Sequence, residues 1–229
     1  MTEGESRRAF AERRFAHAWQ PSMFDRSRIS RLRQLLARRP PGRLLDVGCY
    51  DGQLLLQAVE PRMDELLVGL DLSLPALRAA HTRTIAAVRA QLEARLPFQD
   101  AAFQTVLAAE VIEHVFDTQA LLDELARILS PAGQLVITTP NLVALSGRMQ
   151  LVLGRSPHNV EFDAAPHTSG HIRYFTFDTL ELLERRAGLR PTGRWTNVAH
   201  FSILGSSELV GRLRPSLGHT LISVADKPA

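Results

Sequence analysis

The sequence predicts one α/β domain, a mostly parallel seven-stranded sheet with an antiparallel last strand and helices on both faces. Three observations carry that prediction. Short apolar runs such as LLDVG (44–48), LLVGLD (66–71) and QLVITTP (134–140) alternate with segments of helical periodicity, which is the pattern of βαβ crossovers. The second half holds two further strand-like segments joined by a shorter connection, which suits an antiparallel pair at one side of the sheet. The chain has 229 residues, 45% of them hydrophobic, enough for one good core and too few for two well-sized domains.

Each element has its own signal. Residues 24–39 read as an amphipathic helix with Ile29, Leu32, Leu35 and Leu36 on one stripe, ended by Pro40-Pro41-Gly42. A strand at 44–48 leads to a helix at 52–59, a strand at 66–71 and a helix from Ser73 to Ala80. A weaker strand follows at 85–90 and a stronger one at 105–110. The helix at 117–129 carries Leu121, Leu122, Leu125, Ile128 and Leu129 at helical spacing, and Pro131-Ala132-Gly133 turns the chain into the strand at 134–140. Residues 142–153 are an apolar helical stretch and 154–175 a polar loop. A helix at 177–187 ends at Gly188, as a helix terminus should. Strands at 189–199 and 219–226, with a helix near 206–213 between them, complete the sheet.

Composition excludes several classes. Cys49 is the single cysteine, so no internal disulfide forms, which fits a reducing compartment. No apolar run approaches the ~18 residues of a membrane span, and MTEGESRRAF is charged where a secretory signal would be apolar. A cytoplasmic protein is expected. The net charge of +3 hides eleven arginines against four acidic residues in positions 1–43. Such an arm suits phosphate, nucleic acid or an anionic surface. It equally suits a solvated helical face packed onto the domain through Phe10, Phe15, Trp19 and Phe24, and that plainer reading is preferred. The expected organisation is a single domain over 1–229, with a basic helical extension at 1–40 and a helix-plus-loop cap at 141–175.

The ends of the first two strands carry the chemistry. LLDVGCYDGQ places an acidic residue and two glycines between a strand and a helix; glycine lets the backbone turn and approach a ligand, and the helix start offers free N–H groups. Asp71 ends the second strand, where a carboxylate can accept both ribose hydroxyls of an adenosine. These two features alone do not separate a nicotinamide dinucleotide from S-adenosylmethionine.

Further segments do. VGLDLS (68–73), LEARLPFQDAAFQTV (92–106), AAEVIEHV (108–115), LARILSPAGQLVITTPN (125–141), and HIRYFT (171–176) before a helix ending AGLR (187–190) follow LLDVGCYDGQ in order. Over residues 40 to 195 the chain resembles the class I S-adenosylmethionine-dependent methyltransferases with their Rossmann-like fold. The likeness is nearest to those acting on small molecules, quinone precursors or cell-envelope intermediates. The resemblance implies S-adenosylmethionine as cofactor, with Asp46, Gly48, Cys49, Tyr50 and Gly52 around its methionine part. It also implies Asp71 on the ribose hydroxyls, Leu72 beside the adenine, Gln91 and Leu92 at the adenine edge, and Ala109 and Glu110 near the sulfonium. The expected acceptor is a small molecule, lipid-linked or sugar-linked, methylated on oxygen. Three positions depart from the family pattern: Tyr50 where a second glycine is usual, Gln91 where aspartate is common, and Gln104 in place of the aspartate of an FDxV pattern.

A hydroxyl acceptor profits from a base, and histidine titrates nearest working pH. His114 lies just past the fourth strand, at the sheet edge where ligands bind; its alternative role is to orient the loop into helix 117–129. His171 follows a loop long enough to be a lid. His167 and His171 are four apart, but Thr-Ser-Gly between them makes a poor helix and no carboxylate or cysteine set accompanies them, so no metal site is expected. The helix at 142–153 is read as packed on the sheet in preference to walling a hydrophobic acceptor. Two other functions remain open: a methyltransferase-fold binding protein that has lost turnover, and an RNA methyltransferase. The arm contains no recognised RNA-binding module, so nucleic acid is not an expected partner. Oligomeric state is not legible.

Overall fold

A computed structural model describes residues 22–63, 65–161, 170–201 and 205–229. Phe10, Phe15, Trp19 and His167, and with them most of the expected basic extension and part of the expected cap, lie outside the described residues. Helix α1 (Met23–Leu36) starts with a capping box between Ser22 and Asp25 and buries Ile29, Leu32 and Leu36. The order is then β1 (Leu44–Val47), α2 (Gln53–Ala58), β2 (Leu67–Asp71), α3 (Leu74–His81), β3 (Ala86–Arg89), β4 (Phe103–Ala109) and a 3₁₀ turn (Ile112–His114). After it come α4 (Thr118–Ile128), β5 (Leu129–Pro140), α5 (Leu145–Val152), α6 (Phe177–Arg186), β6 (Arg190–Thr196), β7 (Ala199–Phe201), β8 (Gly205–Ser207), α7 (Glu208–Leu213) and β9 (Thr220–Asp226).

Seven strands form one sheet in the order β3-β2-β1-β4-β5-β9-β6. The pairs among β1 to β5 are parallel, and β9 runs antiparallel between β5 and β6, as the sequence predicts. Alternation along the strands splits the core between two faces. Leu45, Val47, Val106, Ala108, Leu135 and Ile137 meet Leu121, Leu125 and Leu180 of α4 and α6 on one face. Leu44, Leu107, Val136, Ile222 and Val224 meet Leu32, Leu36 and Leu55 of α1 and α2 on the other. The order jumps from β1 to β4, so the carboxyl ends of β1, β2 and β4 open a crevice between crossovers of opposite sense, where such sheets bind ligands.

Two expectations are corrected. The helix after β5 is shorter than expected, and its apolar residues are not core: Met149, Leu151, Val152 and Leu153 are exposed. Residues 199–201 and 205–207 pair as two short antiparallel strands, β7 with β8, which the sequence does not announce. The arginines of the basic stretch that lie within the described residues are partly taken up internally. Arg39 is buried against Glu65 and the carbonyls of Leu36 and Glu60, and Arg33 holds the Gln57 carbonyl. No helix among the described residues is long and apolar enough to cross a membrane.

Candidate active site

The first glycine turn is shaped by β2. The N–H groups of Gly48 and Cys49 both donate to the Leu70 carbonyl, at 2.7 and 3.0 Å. Gly48 has φ 70, and a Cβ there would stand 2.6 Å from Val111 Cγ2, so only glycine fits. Gly52 has φ 77 and starts α2 without a side-chain cap. Asp51, unremarked in the sequence, supplies the missing cap by accepting from the Gln53 backbone N–H at 3.1 Å. Cys49 is buried beneath the turn and burial pushes its thiol far up, which suits packing and not nucleophilic chemistry.

Two carboxylates face the turn. Asp46, on β1, is buried; burial first, and the charge of Asp71 second, push its carboxyl up to about 8. Asp71, ending β2, accepts from the Tyr50 N–H at 2.9 Å and the Ser73 N–H at 2.8 Å. The two donors fall on different oxygens of the carboxylate. The carboxylate is thereby aimed by the turn that follows β1. Tyr50 adopts φ 51, so the position where the family favours glycine does require the left-handed region here. Leu72 and Leu92 are half-buried and Gln91 exposed at the neighbouring rim, and Arg89 bridges that rim by donating to the Leu72 carbonyl at 3.0 Å. Gln104 lies at the opposite end of the sheet, where its side chain accepts from the Arg43 N–H at 2.8 Å; its role is structural.

At the end of β4, Ala109 and Glu110 are half-buried. Glu110 has φ 56, accepts from the Thr138 hydroxyl at 2.8 Å and pairs with Arg28 at 2.8 Å. Arg28 comes from α1, is 6% exposed, and also holds Asp25. Burial works against its charge, but Glu110 and Asp25 hold its pKa above the ordinary arginine value. The sequence hides this residue inside a run of arginines.

Beyond Glu110 the structure assembles a second group. Glu113 is fully buried; burial, then the charge of Glu110, push its carboxyl well up. One oxygen accepts from the Thr139 hydroxyl at 3.0 Å and the other has no partner among the described residues. His114 and His171 meet beside it with ring centroids 5.1 Å apart. The His171 segment is fastened there: Ile172 and Arg173 N–H groups donate to the Glu113 carbonyl at 2.9 and 3.1 Å, and Glu161 accepts from the N–H groups of Gly170 and His171 at 2.7 and 2.9 Å. His167, four residues before His171, lies outside the described residues. Glu113 and Glu161 were missed because no local pattern marks them: Glu113 stands in the apolar run VIEHV and Glu161 in a polar stretch.

A methyltransferase-domain family model matches residues 19–192. The chain belongs to this family. Its similarity to class I S-adenosylmethionine-dependent methyltransferases extends to individual relatives. The 27-O-demethylrifamycin SV methyltransferase of Amycolatopsis mediterranei is 26% identical over 238 residues, covering 86% of this chain and 82% of that protein. The malonyl-[acyl-carrier protein] O-methyltransferase of Herminiimonas arsenicoxydans is 35% identical over 116 residues, covering 51% of this chain and 44% of that protein; the match thus spans less than half the length of that relative. A solved Thermotoga maritima structure, described as a possible histamine N-methyltransferase, has a TM-score of 0.62 at 21% identity and covers 97% of this chain and 94% of its own, which shows the same fold.

Proposed function

We propose that this methyltransferase-family chain binds S-adenosylmethionine over the carboxyl ends of β1 and β2 and methylates a hydroxyl oxygen of a small-molecule, lipid-linked or sugar-linked acceptor. When bound, the cofactor supplies an electrophilic methyl group. The observation that carries the reading is Asp71, a carboxylate at the end of β2 aimed by the Tyr50 and Ser73 N–H groups beside the glycine turn that follows β1. The cradle fits the group, since the turn at Gly48 takes φ 70 and has no room for a Cβ against Val111. In this reading Asp71 takes the ribose hydroxyls, Leu72, Gln91 and Leu92 border the adenine, and Asp46, Gly48, Cys49, Tyr50 and Gly52 surround the methionine part. Ala109 and Glu110 flank the sulfonium. His114 and His171 face the acceptor and promote departure of its hydroxyl proton. Oxygen as the methylated atom is supported by the names of the two relatives, both O-methyl transfer enzymes or transferring to a demethylated oxygen.

Calorimetric titration with S-adenosylhomocysteine, the demethylated product, tests the reading. Two hydrogen bonds to a carboxylate at ~1.5–3 kcal/mol each predict that Asp71→Ala weakens binding by at least about 100-fold. An affinity that Asp71→Ala leaves unchanged would place the cofactor elsewhere.

A further inference from the structure

We infer that Glu113, His114 and His171 form a site for one divalent first-row transition ion, of the zinc kind, on the acceptor side of the cleft. What the ion does rests on the methyl-transfer reading above; whether it binds does not. One carboxylate oxygen and one ring nitrogen from each histidine all lie within 4.8 Å of one another. Ligand atoms at 2.0–2.2 Å around a tetrahedral ion stand about 3.4 Å apart, so no pair in the set has to close by more than about 1.4 Å.

Two atoms of the group are buried and lack hydrogen-bond partners among the described residues: Oε1 of the fully buried Glu113 and Nδ1 of His171. A buried polar atom without a partner costs free energy in a packed interior, and an ion satisfies such atoms at once. The surroundings orient the ligands as outer partners of metal sites do. Thr139 fixes the carboxylate of Glu113 through its other oxygen. The Gly170 carbonyl lies 3.0 Å from His114 Nδ1; a carbonyl only accepts, so Nδ1 carries the proton and the lone pair sits on Nε2. Glu161 and the hydroxyl of Tyr174, which donates to the His171 carbonyl at 3.3 Å, hold the backbone that carries His171. Glu110 is committed to Arg28 and Thr138 and stays outside the set. The expectation of no metal site looked for a partner to His171 along the helix spacing of His167; the partners come instead from the turn after β4.

Two imidazoles and one carboxylate favour zinc-like ions over Mg²⁺ or Ca²⁺, which prefer oxygen alone. Three protein ligands leave a fourth position open, and a hydroxyl bound there becomes more acidic. In the transfer step the acceptor oxygen forms the new bond to the methyl carbon, the carbon–sulfur bond breaks with its electron pair remaining on sulfur, and the hydroxyl proton leaves to solvent.

The test is calorimetry and thermal melting of the metal-stripped full chain with Zn²⁺, and with Mg²⁺ for contrast. The expected result is one Zn²⁺ per chain, at least about 100-fold tighter than Mg²⁺, and a melting temperature raised by about 5–10 °C at a hundredfold excess over Kd. Glu113→Gln and His171→Ala should abolish the rise, and Thr139→Val should weaken binding about 10–100-fold. Glu113→Gln keeps the shape of the buried side chain and an oxygen for the Thr139 hydroxyl, so it should melt close to the stripped parent. No saturable Zn²⁺ binding by the parent, or binding that both ligand variants retain, overturns the site. Zn²⁺ binding without S-adenosylhomocysteine binding supports the site while sinking the methyl-transfer reading; the reverse overturns the site alone.

Discussion

Tyr50 occupies a left-handed backbone position, φ 51, which costs a residue with a Cβ roughly 1 kcal/mol, yet its N–H is one of the two that aim Asp71. Tyr50→Gly relieves the strain and adds unfolded-state entropy of about 0.5–1 kcal/mol, so urea denaturation should find stability changed by less than about 0.5 kcal/mol. Product affinity should stay within a few fold, because the N–H to Asp71 survives. A sharp gain in affinity would mean that the ring blocks the cleft, and would favour a binding protein without turnover. Asp46 makes a second prediction. Its carboxyl is pushed up to about 8 by burial and Asp71, so below that pH it holds a proton that a bound ammonium group must displace. Product affinity should therefore weaken as pH falls from 8 to 6, by at most about tenfold per unit. Calorimetry in buffers of different ionisation enthalpy should detect proton release, and Asp46→Asn should abolish it. Asp46, Gly48 and Asp71 were legible because a strand end, a glycine and a second strand end are local signals. Arg28, Glu113 and Glu161 were not, because each earns its role only from a partner distant in sequence.

Helix α6 carries a polar group with no evident use in the cleft. Glu184 is fully buried, and burial, only partly opposed by the neighbouring Ser223 hydroxyl, pushes its carboxyl up to about 7. An acid whose pKa is raised in the folded state holds more protons there than unfolded, so stability falls as pH rises from the unfolded value near 4.5 through about 7 and is flat above. Glu184→Gln should remove that loss and make the protein more stable at pH 8 by on the order of 1–3 kcal/mol, with little difference at pH 4.5. Chemical denaturation across pH 4.5–8 measures it, and parallel profiles for parent and variant would refute the assignment. Elements with long periodic patterns, α4 and α6 above all, were readable to within a residue or two at their ends. The helix after β5 was misread because an apolar stripe normally means burial, and here Leu145 is half-buried while Met149 and Val152 are exposed. β7 and β8 escaped because three-residue strands have no alternation to read.

The whole molecule brings three remote segments to one sheet edge: α1 through Arg28, the end of β4 through Glu110 and Glu113, and the returning loop through His171. The Arg28–Glu110 pair is the tie between the first and second of these. Arg28 is nearly inaccessible while the Glu110 side chain is 29% exposed, so water offsets only part of the charge left behind when the arginine is removed. A fully buried pair loses about 3–5 kcal/mol when broken from one side; Arg28→Met should therefore cost roughly 2–4 kcal/mol in urea denaturation. The cost should be electrostatic and not merely a matter of packing. In the double variant Arg28→Met, Glu110→Gln no carboxylate is left unpaired at the end of β4, and most of the lost stability should return, as expected for residues in direct contact. The seven-stranded sheet does not depend on the pair, so the single variant should keep its far-ultraviolet spectrum while α1 becomes the first segment cut by a protease. Equal losses in the single and double variants would show that α1 is held by Ile29, Leu32 and Leu36 alone, and that Arg28 does not couple it to the site.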